Sequence, residues 1–143
     1  MKLKTLLATI TLLTASLLIS CKKEIVAESS TLKVRYELTT NSPFVTDPTY
    51  VSLNTFSFVK DANMSEEIVI NLTGKSWIKE LSIENKRNII LGFGGNFLLQ
   101  GISGTCNAKI YVNGVLKAEN NQSASIPISS MTSTGVSIQW ANQ

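Results

Sequence analysis

Leu32-Lys33-Val34-Arg35-Tyr36-Glu37-Leu38 alternates apolar and charged side chains without a break. Successive side chains of an extended chain point to opposite sides, so Leu32, Val34, Tyr36 and Leu38 share one face while Lys33, Arg35 and Glu37 share the other. This is the pattern of a half-buried strand. The same period returns in Cys106, Ala108, Ile110 and Val112, opposed by Lys109 and Tyr111, and again in Val136, Ile138 and Trp140. No window of the chain shows a convincing helical period.

Outward from that stretch, turn chemistry sets the boundaries. Asn41-Ser42-Pro43 and Asp47-Pro48 predict a long loop ending near Thr49, because proline removes a ladder donor and restricts the residue before it. Tyr50 to Phe58 is rich in β-branched and aromatic residues, but Val51 and Leu53 lie on one parity and Phe56 and Phe58 on the other. A bulge or turn is expected near Asn54-Thr55. Strands are predicted over Glu67–Leu72, with Ile68, Ile70 and Leu72 in phase, and over Ser76–Ile83, with Trp77, Leu81 and Ile83 in phase. The apolar run Asn88 to Phe93 reads as a central strand, and Gly92 to Asn96 as a turn or bulge before Phe97-Leu98-Leu99. Asn113-Gly114 is the strongest hairpin signal, since a type I′ turn needs positive φ at both central residues. Its return strand is expected over Val115–Glu119. Asn120 to Ser125 and Ser129 to Gly135 read as loops around Ile126 to Ile128. The sum is an all-β chain of about seven to nine short strands, an antiparallel β-sandwich forming one domain over residues 31–143.

Ahead of it, Lys2 and Lys4 precede a thirteen-residue apolar run, Leu6 to Leu18. A helix from Leu6 to Ser20 would reach roughly 22 Å, short of a hydrocarbon core of about 30 Å. The run has the size of a signal-peptide core. It ends in Leu18-Ile19-Ser20-Cys21, which resembles the lipobox of bacterial lipoproteins. That resemblance implies cleavage of residues 1–20 and lipidation of Cys21, with more than one acyl chain, palmitate among them, holding the protein to a membrane of the cell envelope. Residues 21–30, polar and aperiodic after the cysteine, suit a flexible tether. Lys22 in place of an aspartate after the cysteine favours the outer membrane by the sorting rule of some Gram-negative bacteria. An uncut membrane anchor, or cleavage elsewhere with Cys21 unmodified, are the alternatives.

Loss of the leader also changes the charge. Thirteen basic residues less Lys2 and Lys4 leave eleven against ten acidic ones, so the net charge falls from +3 to +1. A nucleic-acid partner is therefore not expected.

Trp77-x-Lys79, an apolar strand, a glycine-rich turn, and then Ala108-Lys109-Ile110-Tyr111-Val112-Asn113-Gly114 resemble small bacterial lipoproteins related to the mycobacterial MmpS membrane proteins. The resemblance spans most of the mature domain. It implies an immunoglobulin-like β-sandwich and a role as accessory to a large lipid-exporting transporter. The mycobacterial members, however, use a transmembrane helix where this chain has a lipobox.

The inventory of reactive groups points away from catalysis. The chain holds no histidine, so Ser-His-Asp and Cys-His arrangements are unavailable. Cys106 alternates with apolar residues and reads as a buried small hydrophobe, a reactive or partner-linked thiol being the alternative. The carboxylates are scattered, without the spacing of a calcium loop or an acid–base pair, and no metal or other cofactor is expected. Gly92, Gly94 and Gly95 fail the dinucleotide fingerprint because Phe97 stands where its third glycine belongs. The glycosylation-like triplets at Asn63, Asn71 and Asn121 are chance matches in a bacterial chain. Trp77 and Trp140 read as core, with an exposed pair for stacking on sugar as the alternative. Phe44 and Tyr50, bracketing the proline loop, are the candidate ligand-binding residues, set against the competing reading that a loop aromatic folds back onto the sheet. The expectation is a non-enzymatic, lipid-anchored module binding another envelope protein or transporter, or alternatively carbohydrate or peptidoglycan.

Overall fold

The computed structural model describes residues 30–70, 72–124, 126–128 and 130–142. The leader, Cys21 and the tether up to Ser29 lie outside the described residues. Among those described, nine strands form two antiparallel sheets packed as a β-sandwich. They are β1 (Thr31–Thr40), β2 (Thr55–Val59), β3 (Glu66–Val69), β4 (Ser76–Glu84), β5 (Ile90–Gln100), β6 (Gly104–Val112), β7 (Val115–Ala124), β8 (Ile126–Ile128) and β9 (Met131–Ala141). One sheet runs in the order β4-β1-β6-β7 and the other β3-β2-β5-β9-β8.

The alternation in β1 is realised side chain by side chain. Val34, Tyr36 and Leu38 are at most 2% exposed, against the opposing sheet, while Lys33, Arg35 and Glu37 face outward. The interior is aromatic where β1, β2, β4 and β5 meet. Trp77 stands edge-on to Phe56 at 4.5 Å between ring centroids, and Tyr36 stands edge-on to Phe93 at 5.5 Å. Such geometries set ring edges against ring faces, which the quadrupole of each ring favours. The Tyr36 hydroxyl, wholly buried, donates to the Val59 carbonyl at 2.8 Å. Trp77 and Trp140 are both partly buried against this interior.

The hairpin at Asn113-Gly114 forms with φ of 52° and 79°, both positive as a type I′ turn requires. Asn113 also ties the turn to β1, exchanging backbone and side-chain hydrogen bonds with Lys33.

Five local expectations are corrected. Gly92 to Asn96 makes no turn: β5 pairs with β9 without interruption from Ile90↔Ala141 to Gln100↔Met131. The glycines serve close approach instead, because a Cβ on Gly95 would lie 2.3 Å from the Thr55 carbonyl oxygen and 2.4 Å from the Phe56 Cβ. The polar stretch from Asn120 to Ala124 is strand, continuing β7 in register with Gly104–Ala108. Met131 to Gly135 likewise belongs to β9, with Thr132 and Thr134 buried at 0% and 5%. Threonine suits this, since its branched carbon packs like valine and its hydroxyl finds an acceptor, here Gly101 for Thr132.

The single phase expected for Ile68, Ile70 and Leu72 does not hold. Ile68 and Ile70 are 71% and 54% exposed and Val69 turns inward, while Leu72, past the end of β3, is buried. The reason is register: Phe56 and Phe58 point inward from β2, and Val69 and Glu67 are their partners, so Ile68 takes the outer side opposite Ser57. Finally, the parity break before Phe56 is a change of element. Pro48–Leu53 is a short 3-10 helix, and β2 begins only after Asn54.

Candidate functional site

The outer face of the four-stranded sheet carries the most developed surface site. Strand alternation sends Lys33, Arg35 and Glu37 outward from β1, Glu80 and Ser82 from β4, and Lys109 and Tyr111 from β6. Register then sets Arg35 directly between Tyr111 on one neighbour and Glu80 on the other. The guanidinium carbon lies 5.5 Å from the Tyr111 ring centroid, and one guanidinium nitrogen contacts the Glu37 carboxylate at 2.6 Å. Ring and carboxylate together hold the arginine in one pose. Its Nε is buried with no acceptor among the described residues. Around it runs a solvent-open groove of about 480 Å³, lined by Lys33, Arg35, Glu80, Ser82, Tyr111 and Gly114 among others.

Such a groove offers the braced Arg35 guanidinium, the Glu80 carboxylate, which has no ion pair among the described residues, and the Tyr111 side chain. It can hydrogen-bond a polar ligand or a partner's side chains. Further along the same face, the Asn107 amide donates to Glu119 at 2.7 Å and also reaches Asn121. The Asn107 hydrogen bond, with Lys109 nearby, holds the exposed Glu119 carboxyl below its usual range. Glu119 therefore acts as an acceptor at neutral pH.

The nucleophile-type groups are engaged structurally. Cys106 is 3% exposed with its sulfur 3.9 Å from the Thr134 hydroxyl, and burial pushes its thiol pKa up, which suppresses thiolate. Burial also raises the Tyr36 phenol. Among the described residues no three His, Cys, Asp or Glu side chains gather as metal ligands.

Phe44 and Tyr50 do not form an exposed pair. Phe44 is 1% exposed, bridged to Leu99 and set edge-on to Phe97 at 5.4 Å, so its ring is removed from any ligand. The proline loop folds onto the free flank of β5, where backbone bonds from Val45 to Leu98 and from Gln100 to Pro43 extend the sheet. Tyr50 is half-buried on the 3-10 helix. Cys21 lies outside the described residues.

The groove escapes sequence reasoning because its walls come from strands distant in sequence. The alternation of Lys33, Arg35 and Tyr111 is visible there, but which strands pair is not. Set against known families and curated proteins, the chain matches no family model and no curated sequence.

Proposed function

We propose that this chain is a non-enzymatic, lipid-anchored binding module of the bacterial cell envelope. In this reading residues 1–20 are removed, acyl chains on Cys21 hold the protein to the membrane, and the sandwich engages another envelope protein as accessory or scaffold. The immunoglobulin-like form of the sandwich and the MmpS-like role beside a transporter belong to the same proposal. They are supported by the Trp77-to-Gly114 motifs and by a two-sheet domain of fitting size. The outer membrane is the favoured location, on the strength of Lys22.

The observation that carries the binding role is the pre-oriented Arg35, braced by Glu37 and Tyr111 over an open groove. A side chain already held in place loses little freedom on binding, which is how a small contact gains affinity. A photo-crosslinker placed at Ser82 in intact cells tests it. A specific protein adduct is expected, diminished in Cys21→Ser; absence of any specific protein adduct in both forms would overturn the proposal.

The second reading, a carbohydrate- or peptidoglycan-binding surface, is favoured by one feature of the same groove. Glu80, Ser82, Lys33 and Tyr111 offer acceptors, donors and an aromatic edge of the kind sugar hydroxyls use. Binding on a glycan array supports it; silence across polysaccharides removes it.

A further inference from the structure

The two ends of the sandwich differ in chemistry. β1 begins at Thr31, so the chain from Cys21 enters at the end formed by the 60–65 turn, residues 85–89, the Asn113-Gly114 hairpin and the end of β9. Bonds from Asn85 to Ser30, from Asn142 to Ile89 and from the Lys86 ammonium to Asn63 knit these segments together. Five of the nine lysines and arginines among the described residues sit here: Lys33, Lys60, Lys86, Arg87 and Lys117. Three carboxylates share the end. Asp61 is engaged by the backbone of Asn63 and Ser65, Glu84 pairs with Lys86 at 3.2 Å, and Glu66 opens β3. The loops of the opposite end carry only Asp47 and Lys75 among the described residues.

Apolar side chains stand among these cations. Met64, Ile90, Val115 and Leu116 are 50%, 42%, 56% and 44% exposed. At the same end a cavity of about 370 Å³ opens, floored by Leu32 and Val112 and rimmed by Val115, Trp140 and Lys117. The Lys117 ammonium lies 6.0 Å from the Trp140 ring centroid. Tryptophan, short apolar side chains and cations together match the layered chemistry of a lipid headgroup region.

We propose that this basic, apolar end is a second membrane contact, laid on the anionic phospholipid surface in which the chain is anchored. The proposal rests on the reading of Cys21 as the lipidated residue. Eight residues separate Cys21 from Ser30, a span of at most about 30 Å fully extended, so the basic end stays close to the bilayer while the opposite end remains free; the Arg35 groove, which Lys33 and Gly114 border at the basic end, runs from there along the sheet face. Within a Debye length of about 8–10 Å the anionic headgroups attract the five cations, and Trp140 and Val115 settle at headgroup depth.

The test uses the lipidated protein purified from cells and reconstituted into vesicles bearing a headgroup nitroxide quencher. One set is phosphatidylcholine; the other contains a quarter phosphatidylglycerol. With Trp77→Phe, Trp140 alone reports. Quenching about twofold or more stronger in the anionic vesicles is expected, abolished by about 0.5 M salt and by Lys86→Glu/Arg87→Glu/Lys117→Glu. Should Trp77→Phe fail to fold, Val115→Cys carrying an environment-sensitive dye gives the same readout, Cys106 being too buried to label. Protein that floats with vesicles but shows quenching independent of lipid charge overturns this contact alone. Wild type that fails to float, like Cys21→Ser, overturns the anchor and the contact with it.

Discussion

Gly95 faces Phe56 across the β2–β5 pair, and the Thr55 carbonyl with the Phe56 Cα and Cβ occupies the space a side chain at Gly95 would need. Gly95→Ala should cost about 3 kcal/mol in urea unfolding, because the new methyl must displace main chain as well as side chain. Asn54 is the second residue on which local order depends. Its amide donates to Val45 and its oxygen accepts from Leu98, both buried, joining the proline loop to β5. Asn54→Ala strands both backbone groups and should cost about 2–4 kcal/mol by the same measurement. Cys106 and Tyr36 have folded pKa values raised by burial above their ordinary 9.0 and 10.0. The unfolded chain loses those protons first, so the stability they contribute is whole below about pH 9 and is lost as pH rises further. A urea midpoint that falls from about pH 9 to 11 is expected, and iodoacetamide should reach Cys106 only once the protein is unfolded.

At the scale of elements, strand phase is the sharpest question. Ile68→Thr on the outer side of β3 should shift stability by no more than about 0.5 kcal/mol, whereas Leu72→Ala, buried at 4%, should cost about 2–4 kcal/mol. A cost at Ile68 as large as that at Leu72 would restore the single phase that alternation alone suggested. What was legible in the sequence was local. β1, β6 and the Asn113-Gly114 hairpin follow from alternation and turn chemistry confined to a few residues. What was not legible came from partners far along the chain. Asn120 to Ala124 is strand because β6 supplies its ladder, and the glycines of β5 keep a strand straight because β2 and β9 approach them closely. Of the candidate site, Cys106 was readable as interior. Phe44 follows the competing reading, folding back onto the sheet, because the proline loop is hydrogen-bonded onto a sheet flank. The Arg35–Tyr111 groove needed the β1–β6 register, which no local pattern encodes.

At the scale of the molecule, the sandwich carries an uneven distribution of charge, and in the proposed reading a leader and a short tether precede it. The interior is closed by two sheets, so the surfaces left for binding are faces, ends and edges. In the proposed arrangement the basic end lies toward the lipid and the outer sheet face holds the groove. All of it depends on the proposed lipid anchor at Cys21. Intact-mass measurement of the protein from the membrane fraction, expressed with its native leader, tests this most directly. A polypeptide of residues 21–143 carrying acyl chains, absent from Cys21→Ser, is the predicted result; an unmodified chain, or mature protein free in the medium, would contradict the account.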